Sequence, residues 1–253
     1  MVLRFDCACA RALIPTTCIG ERFQARYEAL RTGTELKSPF RMFQSETPFG
    51  QYLLQHLLQD SRVLSHLPDD PGNSIRTVME RLLPFFPPDQ VNPASSTFHL
   101  LYRASEHGFS ALTFHQRCDH QGPTLVLVRT PPGSVCGGYA AASWQSQLPS
   151  VYHDAGGQSF LFSLAKPGPE VEVGRPYPCD HPPEELCFHS TRGPVFGAGH
   201  DLYLADACHS SNASRSNFGK SYGSGPDGQH PSRSLVQEGT HFEVAEYEVW
   251  GVQ

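Results

Sequence analysis

The sequence contains no apolar run that approaches the roughly 20 residues needed to span a bilayer. Its first residues, MVLRFDCACARALIPTTC, also lack a basic start followed by a clean apolar core, so no secretory signal is expected. We therefore expect a cytoplasmic protein without membrane insertion. A mitochondrial presequence is the alternative that this segment leaves open, although Asp6 and the brevity of the segment argue against it.

No Cys-x-x-Cys pair occurs among the eight cysteines, and their wide scatter over a long chain does not fit a disulfide scaffold. Reduced thiols are the expectation in the cytoplasm. In that compartment the glycan-acceptor pattern Asn212-Ala213-Ser214 is not expected to carry a glycan.

Basic side chains are scarce in the later part of the chain. Residues 1–95 hold 10 basic and 10 acidic side chains, whereas residues 96–253 hold 9 basic and 15 acidic ones, which gives the net charge of −6. Such a balance repels phosphate backbones. Nucleic acid is therefore not an expected partner.

A phosphate-binding loop is also missing. Gly197-Ala198-Gly199 suggests one, but such a loop must follow a strand and open a helix whose amides hold the anion. The segment that follows, DLYLA, is predicted to be a strand, and no Gly-Lys-Ser/Thr occurs there. No nucleotide or other cofactor is predicted.

Metal-ligating residue types occur only in short, separate groups, whereas a zinc site requires several convergent ligands. His115 and Asp119 stand one turn apart on a predicted helix, but no second ligand pair is recognisable. No metal site is predicted. The groups considered are His115, Cys118, Asp119 and His120; Cys179, Asp180 and His181; Cys187 and His189; and His200, Asp201, Asp206, Cys208 and His209.

One cysteine resembles a candidate nucleophile. Cys136 precedes Gly137-Gly138, where small residues would let a substrate approach. The favoured interpretation is a strand residue beside a glycine bulge, and Cys118 is interpreted as a packing residue on its helix. No Gly-x-Ser-x-Gly elbow occurs. No catalytic residue is predicted.

Apolar periodicity predicts helices in the first part of the chain. One helix is predicted to begin after Thr47 and end at Pro68, and another to run from Ser74 to Pro84. Their leucine stripes are expected to pack against the rest of the protein. The Pro-rich segment 85–93 suggests a boundary, so an N-terminal helical segment is assigned to residues 1–91.

From Phe98 onward, short strands predominate, with one compact helix at 110–119. The strand at 124–128 is apolar on both faces and should be central. The short spacing between strands favours hairpins over crossover helices. The predicted fold class is α+β, a two-sheet antiparallel β-sandwich flanked by helices. The predicted strands are 99–102, 124–128, 135–141, 159–164, 186–189, 201–204 and 242–250.

The last predicted strand, HFEVAEYEVW, places two carboxylates among large apolar groups. Strict alternation would put Phe242, Val244, Glu246, Glu248 and Trp250 on one face. Either a bulge near Ala245 resets the register, or Glu246 is buried and requires hydrogen-bond partners. We interpret Glu246 as a structural carboxylate.

Residues 99–250 contain a series of short motifs. They are Leu100-Leu101-Tyr102-x-x-Ser105-x-x-Gly108-Phe109-Ser110; Phe114-His115-x-x-Cys118-Asp119-x-x-Gly122-Pro123-Thr124; Gly137-Gly138-Tyr139 with Trp144; Ser159 to Leu164; Gly193-Pro194-x-Phe196-Gly197-x-Gly199-His200-Asp201-Leu202; Ser216-Asn217-Phe218-Gly219-x-Ser221-Tyr222; and Glu246 to Trp250. Together these motifs resemble the TLDc domain shared by the oxidation-resistance proteins and their relatives. They follow one another in the family's order, and their collinearity makes the resemblance specific although each is weak alone.

The resemblance implies a TLDc-like domain over residues 92–253, built as a β-sandwich. It also implies protection against oxidative stress and, in several relatives, binding to the vacuolar-type proton ATPase. Family members are not established enzymes, so a non-enzymatic regulatory or interaction domain is the leading hypothesis. The alternative is a hydrolase or redox enzyme that uses Cys136, Cys118 or Glu246. Cys136 departs from the family pattern, in which a bulkier apolar residue commonly precedes the glycine pair.

Overall fold

Twelve short strands form two six-stranded antiparallel sheets in the computed structural model, which describes residues 57–67, 81–91, 96–166, 171, 173–223 and 233–253. The strand order is β1-β12-β2-β3-β5-β6 in the first sheet and β11-β10-β9-β8-β7-β4 in the second. The strands are β1 (Phe98–Arg103), β2 (Thr124–Arg129), β3 (Val135–Ala140), β4 (Val151–His153), β5 (Phe160–Ala165), β6 (Pro176–Pro178), β7 (Leu186–Phe188), β8 (Val195–Phe196), β9 (Leu202–Tyr203), β10 (Ser214–Arg215), β11 (His241–Phe242) and β12 (Glu246–Val252). The predicted α+β sandwich is confirmed.

Helices occupy little of the described chain. The short α1 (Ala104–His107) precedes α2 (Ala111–Cys118), and 3₁₀ turns lie at Leu64–His66, Leu83–Phe85 and Pro182–Glu184. The helix predicted at 110–119 is confirmed as α2, and the Ser110 hydroxyl caps it by accepting from the Thr113 amide. No helix in these described ranges is long and apolar enough to cross a bilayer.

Strand β2 lies in the middle of the first sheet, between β12 and β3, and its apolar residues are buried on both faces. Val126 and Val128 point into the core between the two sheets, where they meet Phe196 and Leu202 of the second sheet. Leu125 and the other odd-numbered positions point to the opposite face. The prediction of a central strand covered on both sides is therefore confirmed.

The opposite face of the first sheet is covered by residues from the first part of the chain. Leu57, Val63, Leu82 and Phe86 are fully buried there, in one apolar cluster with Trp250. The expected packing of the leucine stripes on the sandwich is confirmed for residues 57–67 and 81–91. The earlier residues of both predicted helices, Leu53 and Ser74 among them, lie outside the described part of the chain.

The first of these helices ends earlier than predicted. Its α-helical residues end at Asp60, and the chain then turns into the 3₁₀ segment Leu64–His66 instead of continuing to Pro68. Two hydrogen bonds account for the change. The Arg62 amide donates to Glu248 at 2.8 Å instead of continuing the helix, and the Ser61 hydroxyl accepts from the Leu64 amide at 3.1 Å. Tertiary contacts thus override local helix propensity.

The single strand predicted at 242–250 is wrong. His241–Phe242 belongs to the second sheet, and Glu246–Val252 belongs to the first, so the chain crosses between sheets at residues 243–245. Phe242 and Val244 therefore pack in the core between the sheets, whereas Trp250 packs on the outer face of the first sheet. Alternation holds only within β12, where it places Glu246, Glu248 and Trp250 on one face.

Two glycine pairs allow close approach of the backbone, as expected. A Cβ at Gly138 would lie 2.7 Å from Leu161 Cδ2 and 2.8 Å from Phe196 Cζ, so the gap between the sheets leaves no room for a side chain. Gly197 has a φ of +76° and abuts the Asp201 carboxylate. Both positions serve backbone geometry.

Candidate functional site

The outward face of the second sheet carries a row of polar and aromatic side chains. The strand register pairs His241 with Arg215, Arg215 with Tyr203, and Tyr203 with Val195. Directly paired residues point to the same side of a sheet. The inward residues of these strands, including Phe196 and Leu202, pack in the core. Alternation along the strands places the exposed Arg215 and the partly buried Tyr203 on the opposite side, although Tyr203 also packs against the core cluster.

Two further side chains converge on Tyr203. The guanidinium carbon of Arg192 lies 5.6 Å from the centroid of the Tyr203 ring, and the His200 imidazole packs on that ring with the centroids 4.9 Å apart and the planes tilted by 32°. Arg192 Nη1 also lies 3.3 Å from His200 Nε2. We call the group formed by Arg192, His200, Tyr203 and Arg215 the Arg192–Arg215 surface. Lys220 lies at its edge, where its side chain packs over Gly199.

The backbone that carries His200 is held in an uncommon conformation. His200 has a φ of +57°, a region that a side chain with a Cβ rarely adopts. Its amide donates to Gly197 O, and its carbonyl accepts from the Asn217 amide at 3.0 Å. The surrounding turn therefore fixes the imidazole beside Tyr203. Strained non-glycine residues of this kind concentrate at functional sites.

Asp201 anchors the same turn from inside. Its fully buried carboxylate accepts hydrogen bonds from four consecutive backbone amides, those of residues 219–222, at 2.8 to 3.3 Å. Burial raises the pKa of this carboxyl, and the backbone donors act in the opposite direction. The motif Gly197 to Asp201 thus forms a structural turn that leads into β9.

His115 on α2 holds the turn that carries Arg192. Its Nδ1 lies 2.7 Å from Asp119 Oδ1, and its Nε2 lies 2.9 Å from both His189 O and Arg192 O. Both ring nitrogens therefore have polar partners inside the protein. The pair considered as metal ligands is therefore a clasp between α2 and the β7–β8 turn.

The arginines of this surface, Arg192 and Arg215, are not paired with carboxylates among the described residues. The pKa of His200 is lowered by burial and then by the two guanidinium groups. Burial raises the pKa of Tyr203, while the same arginines oppose that shift. A neutral His200 accepts one hydrogen bond from Arg192 at Nε2, which leaves the other N–H groups of the Arg192 guanidinium available to a ligand.

The remaining metal-ligand candidates do not converge. Across the described ranges, no group of three or more His, Cys, Asp or Glu side chains could hold a metal ion. Asp206 Oδ1 accepts from the Ala111 amide, and His209 stacks on Phe109 at 4.5 Å. The exposed His120 and His181 and the exposed Asp180 lie in turns that join neighbouring elements. The absence of a metal site stays a prediction for the whole chain.

The five described cysteines are buried and free: Cys118, Cys136, Cys179, Cys187 and Cys208. Cys136 is fully buried in β3, and burial raises its pKa well above the ordinary value. Burial also raises the pKa of Cys118. A thiol needs access and a thiolate form to attack a substrate. The hypothesis of a thiol enzyme therefore loses both of its proposed nucleophiles.

Both carboxylates of β12 are buried and bound internally. Glu246 Oε1 accepts from the Ser105 and Tyr247 amides at 3.1 Å, which confirms the expected backbone partners. Glu248 is fully buried, and it accepts from Ser61 Oγ at 2.6 Å and from Arg103 Nε at 2.9 Å. These contacts support the interpretation of Glu246 as a structural carboxylate and give Glu248 the same role.

Sequence reasoning did not identify the Arg192–Arg215 surface. Its four members are spread over residues 192 to 215, and only the pairing of β9 with β10 places Arg215 beside Tyr203. One signal was present. Residues 96–253 are acidic overall, yet three of their nine basic residues, Arg192, Arg215 and Lys220, fall within a span of 29 positions.

Comparison with known proteins agrees with the motifs. The family model described as the TLDc domain matches residues 75–253, which is more than half of the chain. "GTPase-activating protein skywalker" of Drosophila melanogaster is 37% identical over 73 residues, which cover 26% of this chain and 12% of that protein. "TBC1 domain family member 24" of Xenopus tropicalis is 36% identical over 76 residues, or 29% of this chain and 13% of that protein.

A third relative extends the aligned region. "MTOR-associated protein MEAK7" of Danio rerio is 30% identical over 95 residues, which cover 37% of this chain and 20% of that protein. The chain therefore aligns with only a small part of each of these relatives. The family match, in contrast, includes every strand of both sheets. The chain belongs to the TLDc domain family.

Proposed function

We propose that this domain acts by binding a partner protein and does not catalyse a reaction. The observation that carries the proposal is the internal use of its reactive side chains. The thiols of Cys118 and Cys136 are buried, the carboxylates of Asp201 and Glu246 accept backbone amides, and His115 forms a clasp. None of these groups is available to a substrate. A partly exposed, rigidly held surface, the Arg192–Arg215 surface, is available to a protein.

The named relatives support a regulatory role in general terms. One relative is named for its association with MTOR, and another is named as a GTPase-activating protein. Their aligned segments cover 20% and 12% of those proteins, so the named activities belong to much longer chains. From these two relatives we carry over only what they share, namely a role for this domain within regulatory proteins. We assign no metal, cofactor or catalytic residue to this chain.

The finer proposal names the partner. We propose that the domain binds the peripheral sector of the vacuolar-type proton ATPase in the cytoplasm and contributes to protection against oxidative stress. The support is the resemblance to relatives with these properties.

We also keep the proposed division of the chain into residues 1–91 and 92–253. Residues 57–67 and 81–91 of the first segment pack on the first sheet.

Co-sedimentation of the purified full-length chain with ATPase-bearing membranes tests the proposal. The detached peripheral sector is assayed in parallel, which separates binding to the ATPase from binding to lipid. An unrelated β-sandwich protein of equal net charge is the control, because charge alone gives weak, salt-sensitive association. Enrichment over the control at moderate salt is expected. Equal sedimentation of both proteins would contradict direct binding to this partner.

A further inference from the structure

We propose that the Arg192–Arg215 surface binds a short acidic segment of a partner protein. The inference rests on the proposed binding function and adds to it a location and a chemical class of ligand. It does not depend on the identity of the ATPase as the partner.

The charge of this surface differs from that of its surroundings. Residues 96–253 hold 15 acidic and 9 basic side chains, yet Arg192, Arg215 and Lys220 lie close to one another around His200. Within the part of the chain that the structure describes, these three cations form no salt bridge with a carboxylate. By contrast, Arg103 pairs with two carboxylates. The cations of this surface are therefore available to a ligand.

The geometry of Arg192 prepares it for such a ligand. Its guanidinium lies over the Tyr203 ring and beside His200 Nε2, which restricts the side chain before any ligand binds. The backbone of Arg192 is fixed in turn by the clasp, through His115 Nε2. A planar guanidinium that is already ordered loses less conformational freedom when it binds a carboxylate.

Arg215 extends the surface along the sheet. It is exposed on β10, directly opposite Tyr203 on β9. Both Arg192 and Arg215 influence the titration of Tyr203 and His200, so both guanidinium groups lie close to this pair of rings. Two arginines on either side of an aromatic group suit successive carboxylates on one extended peptide, because each carboxylate can pair with one guanidinium.

The ligand must be short because the surface has acidic neighbours. The exposed Asp206 acts electrostatically on Tyr203, and the exposed Glu243 follows β11. A polyanion that extends over the domain, such as an anionic membrane or a nucleic acid, also meets the net charge of −6. A short peptide interacts mainly with charges within about one Debye length, roughly 8 Å at physiological salt. Local complementarity therefore favours an acidic peptide.

Fluorescence anisotropy with the full-length protein tests the proposal. The probe is a short fluorescein-labelled peptide of alternating Asp and Gly, and the control peptide carries Asn in place of each Asp. The protein variants are Arg192→Ala, Arg215→Glu and Arg81→Glu. Arg81 is exposed in the segment that packs on the first sheet, so Arg81→Glu makes the same change of net charge outside the proposed surface. Thermal unfolding shows that each variant is folded.

We expect the Asp peptide to bind the unmodified protein and the Asn peptide not to bind. Arg192→Ala should weaken binding by roughly fivefold, the upper range for one exposed ion pair. Arg215→Glu should weaken it by roughly tenfold or more, because it replaces attraction by repulsion. Arg81→Glu should leave the affinity within about twofold, because exposed charges beyond a Debye length are screened.

Three results would overturn the proposal: no binding of the Asp peptide at moderate salt, equal weakening by Arg81→Glu and Arg215→Glu, or stronger binding to phosphatidylserine vesicles or single-stranded DNA than to the peptide.

The co-sedimentation experiment with the ATPase is interpreted separately from the peptide experiment. If Arg192→Ala and Arg215→Glu still co-sediment normally while the peptide fails to bind, the proposed function stands and this surface is wrong. If the peptide binds but the ATPase does not, the surface stands and the partner is wrong.

Discussion

Arg103 and Glu248 face each other across strands β1 and β12, and their side chains form an ion pair of 2.9 Å between Nε and Oε1. The carboxylate is fully buried, and it also accepts from Ser61, the Arg62 amide and Trp250 Nε1. One carboxylate therefore joins the N-terminal segment to the first sheet. The segment before residue 75, where the family match begins, is attached through a specific polar contact as well as through apolar packing.

Glu248→Gln should lower the free energy of unfolding by roughly 3 kcal/mol, because it removes the fully buried one of the two carboxylates that pair with Arg103 and turns an amide NH₂ toward other donors. Chemical denaturation monitored by tryptophan fluorescence measures the loss. Glu243→Gln is the matched control, because Glu243 is exposed on the neighbouring crossover. Equal stability of the two variants would contradict the assigned role of Glu248.

Gly138→Ala should destabilise the protein by about 1 to 3 kcal/mol, because the added methyl group would overlap Leu161 and Phe196 in a filled core. Gly156→Ala is the comparison. Gly156 also has an unusual backbone, with a φ of +75°, but the space around it is open. Its cost should be only conformational, about 1 kcal/mol. Thermal unfolding that ranks Gly156→Ala as the more damaging change would contradict the crowding at Gly138.

Four strands of the first sheet, β1, β2, β3 and β5, could be predicted because their sequences carry local signals. Continuous apolar residues at 124–128 indicate a strand buried on both faces, and the structure places β2 there. The crossover between β11 and β12 could be predicted only in part. The alternation in HFEVAEYEVW changes phase at Ala245, which indicates a change of register, but a bulge within one strand gives the same pattern as a change of sheet. The early end of the first helix depends on Glu248, which lies 186 residues from Arg62. Such distant partners leave no periodic signal.

The candidate surface was unpredictable for a related reason. Its motif residues Gly197, Gly199 and Asp201 are explained by a turn: the two glycines have no side chain, and Asp201 is fully buried. Arg192 and Arg215 are isolated arginines in the sequence. The pairing of β9 with β10 and the contacts of Tyr203 bring them together. A site whose residues are brought together by strand register can be recognised only after the pairing of the strands is known.

His115→Ala should loosen the turn that carries Arg192, because His189 O, Arg192 O and the Asp119 carboxylate would all lose a donor. The expected loss is roughly 1 to 3 kcal/mol of unfolding free energy, the usual cost of unsatisfied buried groups. Hydrogen exchange of peptides that contain residues 189–193 should accelerate. The probe peptide should also bind more weakly, although both arginines are retained.

Gln116→Ala is the control for the clasp, since Gln116 is exposed on the same helix. It should change neither the exchange rate of 189–193 nor the affinity for the probe. Unchanged exchange in His115→Ala would show that the turn is held by other contacts. A loss of stability without any effect on the probe would limit His115 to a structural role and exclude it as a positioning residue for Arg192.

The buried thiols make stability depend on pH above the ordinary thiol pKa of 9.0. Burial raises the pKa of Cys118 and Cys136, and it raises that of Cys208 to about 12. Above pH 9.0 the unfolded thiols lose protons while the folded ones keep them, so the folded state binds more protons and its stability must fall as pH rises. The decline continues until the pH reaches the raised folded pKa.

Two measurements test this expectation. Site-resolved mass spectrometry after iodoacetamide treatment at neutral pH should find Cys118, Cys136 and Cys208 unmodified in the native protein and modified in denaturant. Unfolding free energies above pH 9.0 should then fall less steeply in Cys136→Ala than in the unmodified protein, because one titrating group has been removed. Rapid native alkylation of Cys136 would contradict its burial and would restore the case for a thiol-dependent enzyme. Parallel slopes would show that other groups, such as the buried tyrosines whose pKa values are also raised, control the alkaline loss.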